Sequence, residues 1–460
     1  MLPDVMTGRR ARLSWSIPVG LLMALLLAAG IAPVARAATS AVPSSLTQRY
    51  RLDATIDYAA GAVSARDTIT LHANDASFDT LDLSFLPRYL VTLGRAGYGS
   101  TIGPVTVDGV KVTASFPNTT TYRVALGRTI SAGQNVTVVV PFTLKVGTSS
   151  DAFGARLSRS NGIFDLFNWF PIVSILHGVS TIGDPQVTWN AASIELHLTT
   201  TVAFGRDAVA ASGDLISAPA AGTKGTGWVF RATNVRDFGL SISPGYRSCT
   251  YETGNAAKTV IKAYAKSASL CSTLRTNTAN AFARYSSAYG AYPYHTLSMV
   301  QSGNAGFSVE VPTLVFLGSD MIGSTAVTWH ETAHQWFYGL LGDNQLTEPL
   351  IDEGLATFST KYFLGLSFSY CSGYSVNHSI FFFSAWNGCG NYLRTVFDKG
   401  ASMWNRIRAA MGSSAFFAAL RSYIAGHRYG LVGLRRMLGY LDGQTSAVLT
   451  ATYCPYVTWC

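Results

Sequence analysis

Two histidines separated by one helical turn, His330 and His334, flank a glutamate that directly follows the first of them, Glu331. Side chains four positions apart in a helix project from the same face, so both imidazoles can bind one metal ion. The H-E-x-x-H spacing is typical of a zinc site in which the enclosed glutamate acts as general base. The same short pattern also occurs in ordinary buried helices, so by itself it leaves both interpretations open.

A catalytic zinc ion needs a third protein ligand and one open coordination position. Glu353 follows His334 by nineteen positions, in a segment whose helix start is marked by Thr347 and Pro349. A helix, a short loop and a second helix can bring this carboxylate back to the two imidazoles. Asp352 is expected to support a ligand rather than to bind the ion. The sequence thus predicts one Zn²⁺ bound by His330, His334 and Glu353.

The helix that carries the histidines has its own signals. Ser324 can cap its start, and Gly342 can end it. Val327, Phe337 and Leu341 continue the histidine face, which predicts that the imidazoles point inward rather than to bulk water.

Two regions of different periodicity surround this helix. From about residue 46 to 246, apolar and polar residues alternate in stretches such as NVTVVVPFTLKV and SIELHLTTTVAF, which predicts an antiparallel β domain. From 247 to 460, helical stretches such as SSAFFAALRSYIAG are interrupted by strand-like TLSMVQS and TLVFLG. This mixture predicts an α+β domain that carries the metal motif.

These motifs together resemble the gluzincin aminopeptidases related to aminopeptidase N. The resemblance includes HExxH followed after eighteen residues by Glu353 within Asp-Glu-Gly, and its extension into Trp336 and Phe337. The segments 168–171 (NWFP) and 289–294 (YGAYPY) also resemble family segments, and the similarity covers about residues 46–445. It implies an α+β multidomain fold, with a saddle-like antiparallel β domain followed by a thermolysin-like zinc peptidase domain.

The family carries a G-x-M-E-N stretch whose glutamate binds the free α-amino group of the substrate. The matching residues here are 307–311 (FSVEV), in which only the glutamate, Glu310, is kept. A carboxylate on an otherwise apolar strand is costly to bury without a partner, which favours a ligand-facing role over an edge-strand position.

The family also has a tyrosine whose phenol stabilises the oxyanion of the reaction, and here that position is Phe397. Phenylalanine has no hydrogen-bond donor, and loss of one oxyanion donor typically slows turnover about 10²- to 10³-fold. Tyr392 is the candidate replacement donor and Tyr338 a further one, although ordinary packing would explain either.

The resemblance implies a secreted zinc-dependent metallopeptidase of aminopeptidase type that acts on peptides or proteins, with Glu331 as general base. Two alternatives stay open. The C-terminal helical domain of longer family members is expected to be absent, and the resulting open cleft would suit an endopeptidase. Phe397 instead suggests a zinc-loaded binding protein with weakened catalysis.

Composition limits the remaining functions. The net charge of +9 is spread along the chain without a basic run, which argues against nucleic-acid binding.

Three arginines precede an apolar stretch that closes at Ala35-Arg36-Ala37, which predicts a signal peptide over residues 1–37, or a membrane anchor if it stays uncleaved. The six cysteines are expected to pair as 249–271, 371–389 and 454–460.

Overall fold

The computed structural model describes residues 45–148, 154–174, 188–220, 223, 225–345, 347–371, 373–378 and 391–460. The predicted signal peptide at residues 1–37 therefore lies outside the described residues. Within them, every helix is too short or too polar to cross a membrane.

The largest sheet has nine strands and begins at the N-terminal end of the described chain. Its path runs β15 (Asp214–Ser217), β16 (Gly225–Val235), β13 (Ala191–Thr200), β1 (Leu46–Asp57), β2 (Ala62–Ala73), β9 (Asn135–Lys145), β5 (Thr106–Val107) and β6 (Val110–Lys111), with β4 (Gly99–Ile102) also paired to β9. In β1, buried Tyr50, Leu52 and Ala54 alternate with more exposed residues, because successive side chains point to opposite faces.

Two four-stranded sheets and one short helix complete this N-terminal β region. One sheet contains β10 (Leu157–Ser160), β11 (Ile163–Leu166), β17 (Leu240–Ile242) and β14 (Val209–Ala211); the other contains β12 (Ile172–Val173), β3 (Phe78–Ser84), β8 (Thr121–Ile130) and β7 (Ala114–Ser115); the helix is α1 (Pro87–Thr92). Trp169 is fully buried, and its indole N–H donates to the carbonyl of Phe238 at 3.1 Å.

The C-terminal α+β region contains one mixed sheet and most of the helices. The sheet order is β18 (Arg247–Glu252), β19 (Val260–Ala265), β20 (Thr296–Gln301), β22 (Leu314–Leu317) and β21 (Val309–Val311). The helices are α2 (Ala268–Tyr289), α3 (Thr325–Ala333), α4 (Leu355–Leu364), α5 (Gly400–Met411), α6 (Ser413–His427), α7 (Leu434–Asp442) and α8 (Thr450–Tyr453). Two π-helical segments, Leu350–Gly354 and Leu393–Lys399, lead into α4 and α5.

The predicted α+β class is confirmed, with a β-rich part followed by a helical part. One pairing differs from the expected antiparallel pattern, since β1 and β13 run parallel while β2, β9 and β16 pair in antiparallel fashion. A long stretch of chain separates β1 from β13, so no tight hairpin forces the two strands into opposite directions. The proposed domain boundary at 246/247 stays a prediction.

Two of the three expected disulfides are present. Cys249–Cys271 joins β18 to α2, with Cα atoms 5.9 Å apart, and Cys454–Cys460 closes the C-terminal end of the chain. The expected partner of Cys371, Cys389, lies outside the described residues.

Candidate metal centre

Helix α3 presents the two histidines near its C-terminal end. Ser324 caps its start as predicted, accepting a hydrogen bond from the backbone N–H of Val327 at 3.3 Å. The expected end at Gly342 was wrong, because the helix stops at Ala333 and His334 occupies the capping position. Gly342 instead lies against the guanidinium of Arg236, where an added Cβ would come within 2.2 Å of Nη1.

The predicted ligands converge. His330 Nε2 lies 3.0 Å from His334 Nε2 and 3.2 Å from Glu353 Oε2, and the third edge, from His334 Nε2 to Glu353 Oε2, is 3.5 Å. Tetrahedral zinc with bonds near 2.0–2.1 Å sets its ligand atoms about 3.3 Å apart. Two imidazole nitrogens and one carboxylate oxygen at this spacing therefore fit a zinc ion with one further position free.

Burial differs among the three ligand side chains. His334 is only 1% exposed, whereas the side chains of His330 and Glu353 are 17% and 19% exposed. The group thus extends from the core to a partly open edge, where a substrate atom could approach. Burial disfavours ionisation of Glu353, but the hydrogen bonds and charges of both histidines outweigh it and lower its pKa to about 2. Glu353 is therefore a carboxylate, the form that binds a cation.

Glu331 points from the same helix into an enclosed space. It is 6% exposed, and its Oε2 has no hydrogen-bond partner among the described residues. Burial raises the pKa of Glu331 to about 8, against the opposing charge of His334. A bound dication would favour the carboxylate, because nearby positive charge stabilises it. An orphaned buried carboxylate beside three ligand atoms is what a metal-linked general base requires.

A buried hydrogen-bond chain supports His334 from behind. Its Nδ1 hydrogen-bonds to Asp352 Oδ1 and lies 3.1 Å from the carbonyl of Phe337. The other oxygen of Asp352 accepts from the amide of Gln345, and its backbone N–H donates to Asp343 Oδ2 at 3.1 Å. Such a carboxylate–histidine contact fixes the tautomer, so that Nε2 is free to bind metal.

The N-terminal β region contributes Arg236 to this support. Its guanidinium is 1% exposed and donates to the carbonyls of Thr188 (3.1 Å) and Gly430 (3.2 Å). It also lies over the ring of Tyr338, with Cζ 5.6 Å from the ring centroid. The nearby carboxylates of Asp343 and Asp352 help to keep it charged although burial lowers its pKa.

Glu310 lies on β21 beside this group and is 6% exposed. Gln345 donates to its Oε1 at 3.3 Å, so one amide links Glu310 to Asp352. Glu310, His334 and Asp352 form a second cluster of closely spaced ligand atoms. Because His334 and Asp352 are hydrogen-bonded to each other in this second cluster, we interpret it as a group that holds His334 in place for the first cluster. Glu310 therefore borders the predicted zinc position.

Phe397 and Tyr392 approach from the second π-helical segment and its start. Phe397 stacks on His330, with centroids 5.5 Å apart and planes at 12°, and Tyr392 contacts Phe397 edge-on at 5.6 Å. Tyr392 is 6% exposed, and among the described residues its ring contacts Phe397. The ring of Tyr338 lies beneath the guanidinium of Arg236. The oxyanion-donor role of Tyr392 stays a prediction.

The sequence patterns did not predict three residues of this site, namely Gln345, Asp343 and Arg236. Asp343 directly follows Gly342, and Arg236 precedes an aspartate within an apolar stretch. The available signal for both was a charged residue next to a segment expected to be buried. No local pattern marks Gln345, because its two carboxylate partners come from β21 and the first π-helical segment.

Comparison with solved structures supports the fold. An M1 zinc metallopeptidase from Deinococcus radiodurans has 16% sequence identity and a TM-score of 0.67, with coverage of 90% of this chain and 93% of that one. A two-domain M1 zinc metallopeptidase mutant bound to L-arginine has 17% identity and a TM-score of 0.66, covering 90% and 94% of the two chains. An M1 zinc metallopeptidase mutant from Deinococcus radiodurans, bound to a Tyr-Ser-Ala substrate, has 14% identity and a TM-score of 0.64, covering 90% of this chain and 94% of that one. No family profile and no curated protein matches the sequence.

Proposed function

We propose that this chain is a zinc-dependent metallopeptidase that removes N-terminal residues from peptides. The observation that carries the proposal is the triangle of His330, His334 and Glu353 ligand atoms, 3.0–3.5 Å on each edge, with the unpartnered carboxylate of Glu331 beside it. The likeness in fold to M1 zinc metallopeptidases supports it independently of these distances.

The residues divide the chemistry among them. A zinc ion bound by the three ligands would polarise the scissile carbonyl and acidify water. Glu331 accepts a proton from the attacking water and returns it to the leaving amine nitrogen. Asp352 holds the His334 ring in one tautomer and orientation throughout. The partly exposed edge of His330 and Glu353 is where the peptide bond would lie.

The aminopeptidase assignment rests on Glu310. Its carboxylate lies on β21 at the border of the ligand cluster, where it can pair with the α-ammonium group of a peptide. Similar structures have been solved with L-arginine and with Tyr-Ser-Ala, ligands that carry a free α-amino group. An enzyme that binds this group cannot use N-acetylated peptides well.

Aminoacyl-coumarin amides of leucine, arginine and tyrosine, with their N-acetylated counterparts, test the proposal. We expect zinc-dependent turnover of the free amides and at least 100-fold lower turnover of the acetylated ones. Glu331→Gln keeps the side-chain shape but cannot accept the proton, and should lower kcat by at least 10³-fold. Absence of turnover with zinc restored, or an unchanged rate in Glu331→Gln, would reject a peptidase. Cleavage of acetylated peptides at internal bonds would instead assign an endopeptidase.

A second function is favoured by one contact. The hydroxyl-free ring of Phe397 covers one face of His330, where it donates no hydrogen bond to a reacting oxygen. A zinc-loaded peptide-binding protein with weak catalysis would have this arrangement. Micromolar binding of peptides by zinc-loaded chain without any turnover would support it.

We also propose that the chain is exported. The arginine-flanked apolar segment before Ala37 and the two disulfides suit an oxidising compartment outside the cytosol. N-terminal sequencing of the protein from the culture medium should start at or near Ala38. Recovery only from the membrane fraction with residues 1–37 retained would favour the anchor.

A further inference from the structure

A cavity of about 240 Å³ lies between the two regions of the chain, lined by β14–β16 on one side and by β18–β20 on the other. Its C-terminal wall uses alternate residues of paired strands, which share one face of the sheet. None of the metal-centre residues described above lines it. A cavity of about 150 Å³ is large enough for a benzene-sized molecule, so this one can hold a small organic ligand.

Three hydrogen-bond donors of this wall have no acceptor among the described residues. They are the ammonium of Lys262, the phenol of Tyr264 and the hydroxyl of Ser298, which line the cavity. Lys262 faces Ser298 across the β19–β20 pair, and Tyr264 lies two residues further along β19. Tyr264 is only 7% exposed, and Lys262 is partly buried. With no acceptor among the described residues, these donors are available to an anion or water in the cavity.

The opposite wall is apolar. Val209 and Ala211 of β14, Leu215 of β15 and Phe230 of β16 line it, and all but Leu215 are buried. This wall cannot satisfy the donors. A ligand that filled the space would need an anionic end and an apolar body.

Two acidic residues lie at or near the cavity. Asp207 lines it and accepts a hydrogen bond from Ser248 at 2.8 Å, and neighbouring Asp214 hydrogen-bonds to Thr296 and lies 3.1 Å from His295 Nδ1. Within the described residues, neither forms an ion pair with Lys262. The Lys262 ammonium is thus available to a ligand, and the lining adds one positive charge from Arg206 and one negative charge from Asp207.

We propose that this cavity binds a small apolar carboxylate, with its carboxylate on Lys262, Tyr264 and Ser298 and its apolar body against Phe230 and Leu215. The site is separate from the metal centre and does not depend on the proposed peptidase function. A ligand held there contacts both regions of the chain and would stabilise their packing.

Isothermal titration of the zinc-loaded full chain with phenylacetate tests the proposal, and a parallel titration uses the neutral analogue 2-phenylethanol. We expect one saturable phenylacetate site, at least tenfold weaker binding of the alcohol, and persistence of the site after zinc is removed by a chelator. Lys262→Met should weaken phenylacetate binding at least tenfold, and Tyr264→Phe severalfold. Lys262→Arg keeps the charge and should retain most of the affinity. Lys111→Met, on exposed β6, is the matched control and should bind like wild type.

Several outcomes would overturn it: absence of saturable binding, equal affinity in folded Lys262→Met, or equal binding of the alcohol. Binding that disappears with zinc would place phenylacetate at the metal and reject the cavity. Tighter binding of inorganic phosphate than of phenylacetate, measured in the same way, would reject the role of the apolar wall.

Discussion

The rings of His330 and Phe397 lie face to face, with centroids 5.5 Å apart and planes 12° from parallel. The imidazole of His330, a proposed zinc ligand, is thus packed by a side chain from a separate π-helical segment. The same contact brings position 397, where the resembling family has its oxyanion tyrosine, beside the ligand cluster. Phe397 therefore packs on His330 and offers no hydrogen-bond donor there.

Restoring the hydroxyl should raise activity. Phe397→Tyr adds a donor beside the ligand cluster without removing the ring, and one oxyanion donor is worth about 10²-fold or more in turnover. We expect kcat for leucyl-coumarin amide to rise at least tenfold with little change in zinc content. Phe397→Leu, the control, removes the stacking and should lower zinc affinity without a gain in rate. An unchanged kcat in a folded, zinc-loaded Phe397→Tyr would show that another group already stabilises the oxyanion.

Removing the support of His334 should weaken metal binding. Asp352→Ala leaves Nδ1 without its carboxylate partner, and loss of such partners typically lowers metal affinity about 10- to 100-fold. Zinc affinity measured by competition with a chromophoric chelator should show this loss, with Asp352→Asn intermediate. Asp53→Asn, in an exposed ion pair with Arg51, is the control and should leave zinc affinity unchanged. Wild-type zinc affinity in Asp352→Ala would contradict the supporting role.

Arg236 and Gly342 should be energetically coupled. A Cβ at position 342 would meet the guanidinium, so Gly342→Ala should destabilise the fold by about 1–3 kcal/mol through overpacking. Arg236→Met removes the hydrogen bonds of a buried guanidinium to the carbonyls of Thr188 and Gly430 and should cost about 2–4 kcal/mol. In the double variant the clash is gone. Its loss of unfolding free energy, measured by urea unfolding, should therefore be at least about 1 kcal/mol smaller than the sum of the losses in the two single variants. Strict additivity would mean that the close contact has no energetic consequence.

Asp67 should make stability depend on pH. It is fully buried on β2, both carboxylate oxygens lack partners among the described residues, and burial raises its pKa well above the ordinary value. The folded state then holds the proton more tightly than the unfolded state. The free energy of unfolding therefore falls as pH rises from about 4 towards the folded-state pKa, by at most about 1.4 kcal/mol per pH unit.

Asp67→Asn removes this proton linkage. We expect the variant to gain stability over wild type as pH increases, with a small difference at pH 4 and the largest at pH 8. Urea unfolding across this range measures it, with exposed Asp75→Asn as control. A difference between Asp67→Asn and wild type that does not change with pH would show that Asp67 has an acceptor or cation partner in the folded protein.

Much of the architecture followed from local pattern. Alternation in β9 and β13 predicted strands because the side-chain period of a strand is two. Helix α6 appeared where expected, and Ser324 capped α3. The end of α3 was missed because a glycine also serves where another side chain approaches the backbone, and Arg236 lies far away in the sequence.

The sequence by itself determined the zinc-ligand candidates, since helical spacing sets His330 and His334 on one face and the motif includes Glu331. Only the tertiary structure decided that Glu353 closes the triangle, that Gln345 and Asp343 brace Asp352, and that Arg236 reaches in from the β region. Helical periodicity acts over a few residues, whereas these contacts join segments that meet only when the sheets and helices pack and exclude water. A buried charge is stable only when such partners surround it, and these partners are neighbours in the folded structure rather than in the sequence.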